Sequence, residues 1–233
     1  MPRDVDYVLD KLDWMRAERI WPNGLRNLWT DAFGVVLYVS LYRELGKDRW
    51  LDEAERLVDV ERVLGRLRGL RIGEAADRDG QYFHYLAMWL FALARLGELK
   101  PEYRQRGIAL ARDIHPAFVI PGRGVIWKMK EDLSGPYPGY AFGAMDAYDG
   151  YVSYRVLGED ALAPEIAQVR DLVERDWRTL AIIQLPAKMA RLAPRPPFGL
   201  PELTVAVRTS LLSCRKAGKT RVFPDKIVFA NAS

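Results

Sequence analysis

The chain has 233 residues, 49% hydrophobic, 11% aromatic and 28% charged, enough apolar matter for a sizeable core and enough charge to solvate it. A lone cysteine, Cys214, excludes an intrachain disulfide and a multi-cysteine metal site. The net charge of +4 hides an asymmetry: residues 186–233 hold nine Lys/Arg against two acids, leaving 26 basic and 29 acidic residues in 1–185, a balance of −3.

The start, MPRDVDYVLDKLDWMRAERIW, places charges among its apolar positions, where a secretory signal would carry an unbroken apolar segment. The longest apolar run, YLAMWLFALA, is about half of the ~20 residues a membrane span needs. These features predict a cytoplasmic protein with no membrane segment. The mildly acidic body gives no basic surface for nucleic acid.

Helices dominate the expected fold, and they come in pairs. A largely apolar helix ends in LYRELG (41–46), LARLG (93–97) and SYRVLG (153–158), each followed by a short polar connection and an amphipathic helix. Gly46, Gly97 and Gly158 suit the left-handed position after a helix, where glycine carries almost no penalty. The first members, with FGVVLYVSLY (33–42) and FHYLAMWLFAL (83–93), are apolar nearly all round and predict burial on every side. Their partners, WLDEAERLVDVERVLGRL, YRQRGIALARDI and PEIAQVRDLVERDW, have a one-sided apolar stripe with period near 3.6. Alternation of buried and one-sided helices predicts an all-α fold, an α/α toroid or partial toroid of paired antiparallel helices over residues 1–185. RGVIWKMKED (123–132) predicts a short β-hairpin arm, with Lys128 and Lys130 on one face and Trp127 and Met129 on the other. The loop DLSGPYPGYAFG (132–143) is too rich in glycine and proline for helix. Residues 186–233 hold six of the fourteen prolines and no sustained period, and read as a basic tail, poorly ordered or a non-native extension.

Polar and aromatic residues gather at the starts of the apolar helices: Trp29, Thr30 and Asp31; then Asp77, Asp79, Gln81, Tyr82 and His84; then Asp146, Tyr148, Asp149 and Tyr151. Helix starts carry unpaired N–H groups and partial positive charge, so a ring of them makes a polar funnel. Asp31 and Asp79 also suit a capping role. Asp146 and Asp149, three apart, share a helix face, and two close carboxylates raise one another's pKa. His84 is one of two histidines and shares its face with Gln81, Tyr85 and Met88; it reads either as an acid/base group or as a bonded structural residue.

The W-T-D, D-G-x-Y-F-H-Y and D-x-x-D-G-Y motifs at these helix starts resemble the six-hairpin (α/α) glycosidase-like superfamily, over roughly residues 25–180. That resemblance implies an enzyme acting on a saccharide by carboxylate acid/base chemistry in the funnel. Its catalytic candidates are Asp31, Asp79, His84, Asp146 and Asp149. Its sugar-binding candidates are Trp29, Gln81, Tyr82, Trp89, Trp127, Lys128 and Tyr148. The superfamily has six helix pairs where three are evident, which implies an incomplete member, or a homodimer covering the open apolar faces. The paired histidines of its epimerases have no match, since His115 falls at the end of an amphipathic helix. Neither a glycine-rich phosphate loop nor a zinc-ligand pattern is present, so no cofactor or metal is expected. The alternative reading is a non-catalytic helical-repeat scaffold that binds a protein or peptide on its concave face.

Overall fold

The computed structural model describes residues 5–22, 26–59, 61, 64–65, 68–139 and 141–180, with side chains described up to 176. The described residues divide into two units, 5–14 with 174–180 and 15–173. The tail expected at 186–233 lies outside the described residues. The secondary structure that is described is mostly helical: α1 (Val5–Ala17), α2 (Leu28–Leu45), α3 (Arg49–Val58), α4 (Phe83–Gly97), α5 (Pro101–Phe118), α6 (Asp146–Gly158) and α7 (Ala163–Leu180). None of the described helices is long and apolar enough to cross a membrane.

Helix α2 begins where Asn27, in extended conformation, accepts the N–H groups of Trp29 and Thr30 on its side-chain oxygen. It ends at Gly46, left-handed at φ +62°, as the sequence leads one to expect. The other two glycines of the repeated ending act differently. Gly97 and Gly158 are the last residues of α4 and α6, and both lie against α5. A Cβ on Gly97 would sit 2.8 Å from the Arg104 backbone nitrogen, and one on Gly158 would sit 3.2 Å from Ile108 Cδ1. These two serve close helix approach, not a left-handed turn.

Within the unit 15–173, α2 packs on α3 and α4, α4 on α5 and α6, and α5 on α6. The apolar first members fulfil their pattern most fully in α4, where Phe83, Leu86, Trp89, Leu90, Leu93 and Leu96 are wholly buried. Two arginines of α5 reach the far end of α6 and the turn after it: Arg104 donates to the Val156 and Leu157 carbonyls, and Arg112 to that of Ala161. The Arg104 bonds satisfy carbonyls that the helix end leaves without partners. His115 of α5 is buried, 3.3 Å from the Tyr154 hydroxyl of α6 and 3.2 Å from Gln168 Oε1 of α7.

The expected hairpin arm is two separate ladders. Strands β2 (Val119–Ile120) and β3 (Gly124–Val125) form a local hairpin around Pro121–Arg123, with Gly122 at φ +69°. Strand β4 (Lys128–Met129) pairs instead with β1 (Gln81–Tyr82), in register Gln81 with Met129 and Tyr82 with Lys128. The regular alternation expected along VIWKMK therefore does not run: Lys128 and Met129 are both buried, and Trp127 is 41% exposed.

Candidate functional site

The β1–β4 ladder feeds directly into α4, because the Phe83 N–H bonds to the Trp127 carbonyl at 3.1 Å. That single bond sets the first turn of α4 beside the strand carrying Trp127. Gln81 locks the entry from beneath. Its amide oxygen accepts the Leu70 N–H at 2.9 Å, and its nitrogen donates to the Arg68 and Glu131 carbonyls at 2.6 and 2.7 Å. The following residues Tyr82, His84 and Tyr85 then converge with the first turns of two neighbouring helices.

Around His84 the rings close up. Its centroid lies 4.6 Å from Tyr85, 5.4 Å from Tyr82, 5.5 Å from Trp29 and 6.3 Å from Trp127. Trp29 also meets Tyr85 at 5.0 Å and Phe33, one turn on in α2, at 5.1 Å. His84 meets Trp29 and Tyr85 edge-to-face, the geometry aromatic quadrupoles favour, while it is tilted on Tyr82 and stacked at a distance on Trp127. The Trp127 indole N–H donates to His84 Nδ1 at 3.1 Å, and Asp146 Oδ1, from the first residue of α6, lies 3.9 Å from the same nitrogen. Histidine is 20% exposed at its side chain and the aspartate 6%. Gly143 makes room for that carboxylate, since a Cβ there would stand 1.7 Å from Asp146 Oδ2.

Chemically, a nitrogen that accepts from an indole must be unprotonated, so His84 here is the neutral tautomer with its proton on Nε2. At 3.9 Å the Asp146 contact is too long for a hydrogen bond yet close enough to favour an imidazolium when one forms. Burial, with the negative charge of Glu74 adding, pushes the Tyr85 phenol above its ordinary value and keeps it neutral at physiological pH.

Trp29, Tyr82, His84, Trp127 and Asp146 are thus brought together. Other residues named from the sequence are placed elsewhere. Asp31 is two residues, about 200° of helix rotation, from Trp29. It turns to Arg26 at 2.9 Å and to the Trp21 indole at 3.1 Å. Burial raises its pKa, and Arg26 and Trp21 offset part of the rise. Asp79 accepts from Arg71 at 2.7 Å and from the Gly73 and Gly80 N–H groups, organising the loop before β1. Neither aspartate caps a helix. Gln81 is consumed by its three backbone bonds. Trp89, two turns into α4, is fully buried and donates to Glu61 at 2.8 Å, so it offers no platform.

Lys128, a sugar-binding candidate in the sequence, is 2% exposed. Its ammonium donates to the Arg78 carbonyl at 2.7 Å and lies over the Tyr82 and Tyr137 rings at 4.7 and 4.1 Å. Tyr148 and Asp149 are buried further along α6. Sequence reasoning missed Phe33, whose spacing of four from Trp29 was the available signal, and Gly143, for which there was none. Beside the site, Ile120, Arg123, Ile126, Pro136, Ala141 and Phe142 line an apolar hollow of about 380 Å³. None of these six is an acid or base that titrates near neutrality, and Ile126 adjoins Trp127 in the chain.

No known protein-family model matches the chain, and no curated protein matches it at a significant level of similarity.

Proposed function

We propose that the chain is a carbohydrate-active protein of the six-hairpin (α/α) glycosidase-like type, with α2–α3, α4–α5 and α6–α7 as three consecutive hairpins of an α/α toroid. In this reading a sugar ring stacks on Trp127 and Trp29, and its hydroxyls meet His84. The observation that carries it is the convergence of four aromatic rings on one partly exposed histidine with a buried carboxylate beside it. Sugars present apolar C–H faces between polar edges, which suits rings surrounding an acid/base group. His84 takes a proton at Nδ1, the nitrogen beside Asp146, which stabilises the imidazolium that results, and the imidazolium then gives its Nε2 proton to the sugar oxygen as a general acid. Asp31 and Asp79, held in their own ion pairs, take no part.

Two-carboxylate hydrolysis requires acids about 5–5.5 Å or about 6.5–9.5 Å apart. The His84–Asp146 pair instead favours proton transfer by the imidazole. Titrating tryptophan fluorescence with neutral and acidic mono- and oligosaccharides tests the reading. One sugar class should perturb the emission, and Trp127→Ala should weaken its binding roughly three- to tenfold, the worth of one ring contact. His84→Gln should keep binding and lose turnover. If no saccharide changes either fluorescence or melting temperature, the proposal fails.

A further inference from the structure

We infer that the aromatic site has two forms selected by a proton on His84 Nδ1: neutral His84 holds the Trp127 indole, and protonated His84 releases it and turns to Asp146. The geometry forces the choice. Nδ1 has one lone pair, and it accepts the indole N–H at 3.1 Å. A proton on Nδ1 sets two N–H groups against each other, which is repulsive. The same nitrogen lies 3.9 Å from Asp146 Oδ1, which a small rotation of the imidazolium brings within hydrogen-bond reach. An indole has a single donor, and at 41% exposure Trp127 can give that donor to water instead.

The groups facing His84 bear on the balance. From α2 come Trp29 and Phe33, which do not titrate. From β1 and α4 come Tyr82 and Tyr85, the latter facing Glu74. From α6 comes Asp146. Lys128 is a cation over the Tyr82 ring, directed at the Arg78 carbonyl. Asp146 favours the imidazolium, and Lys128 opposes it from across Tyr82.

The consequence for ligand rests on the proposed saccharide site. Acidification frees the Trp127 platform and lowers saccharide affinity roughly two- to tenfold, about the value of one hydrogen bond.

The test needs no ligand at first. In nitrogen-15-labelled protein, the indole resonance of Trp127, assigned by its loss in Trp127→Phe, is followed from pH 8 to pH 5 together with the His84 ring signals. The expected result is a shift and faster water exchange of that indole, with the midpoint of His84. His84→Gln, whose amide oxygen can accept at any pH, should remove the dependence. Asp146→Asn should move the midpoint to lower pH. An indole signal that stays constant while His84 titrates overturns the inference. Saccharide affinity at the two pH values separates this inference from the functional reading. An indole that switches in a protein binding no saccharide supports the switch and refutes the function. Affinity that is unchanged while the indole switches refutes the link between them.

Discussion

Replacing Gln81 by Met probes how the site is held. The methionine has nearly the same volume, so no cavity opens, but three hydrogen bonds to backbone are lost at 2.9, 2.6 and 2.7 Å. Each such bond contributes about 1 kcal/mol net, the desolvation of the buried Leu70 N–H left without its acceptor included. The expected loss is about 3 kcal/mol. For a chain of this length that corresponds to a melting temperature lower by about 6–12 °C. Urea unfolding followed by far-UV circular dichroism measures it directly. Because Gln81 faces backbone and not solvent, folded Gln81→Met protein should keep the Trp127 indole resonance of the parent. A loss below about 1 kcal/mol with an unchanged denaturant slope would refute the claim that this amide fastens β1 to its neighbours.

Gly34→Ala should cost about 1–3 kcal/mol by overpacking. Its Cβ would lie 2.2 Å from Trp21 Cζ2 and 2.6 Å from Leu57 Cδ1, and a parent-like thermal melt would contradict that steric account. His115 gives a pH dependence of known sign. Burial holds its pKa below the ordinary 6.5, against the opposing effects of Gln168 and Glu165. The native state therefore binds fewer protons than the unfolded chain just below 6.5, so His115 makes stability fall as pH drops through that window. Unfolding free energies from pH 8 to pH 5 should slope less in His115→Gln, and equal slopes would sink the assignment.

The helices were legible because burial imposes period 3.6 on some and apolarity nearly all round on others. Tyr82, His84, Trp127 and Asp146 were legible as polar or aromatic residues at the starts of elements, and Trp29 likewise. Asp31 and Asp79 carry the same local signal, and their rejection depends on Arg26 and Arg71, charges supplied by neighbouring segments. Nothing local marks which of two helix-start aspartates meets an arginine. Lys128 was misread because alternation presumes a strand, and β4 spans only two residues. Trp89 was a platform only by the resemblance; its distance of about two turns from the start of α4 puts it in the core. The endings at Gly97 and Gly158 copied the spelling of a left-handed cap while serving interhelical distance, a property of the partner helix.

The register of the β1–β4 ladder also constrains how the sequence can drift. One insertion between 124 and 127 would move Trp127 into the slot that pairs with Tyr82 and Lys128 into the buried slot that pairs with Gln81. The indole would leave its exposed place beside His84, and the ammonium would lose the Arg78 carbonyl it now meets. Both the rings and their support would be lost in one event, so an insertion in this stretch should be poorly tolerated. The tips at Gly122 and Gly135, where an added Cβ would meet nothing within 4 Å, are free of that coupling. Lengthening there would leave the rungs in step, so those two turns are where added residues should be tolerated.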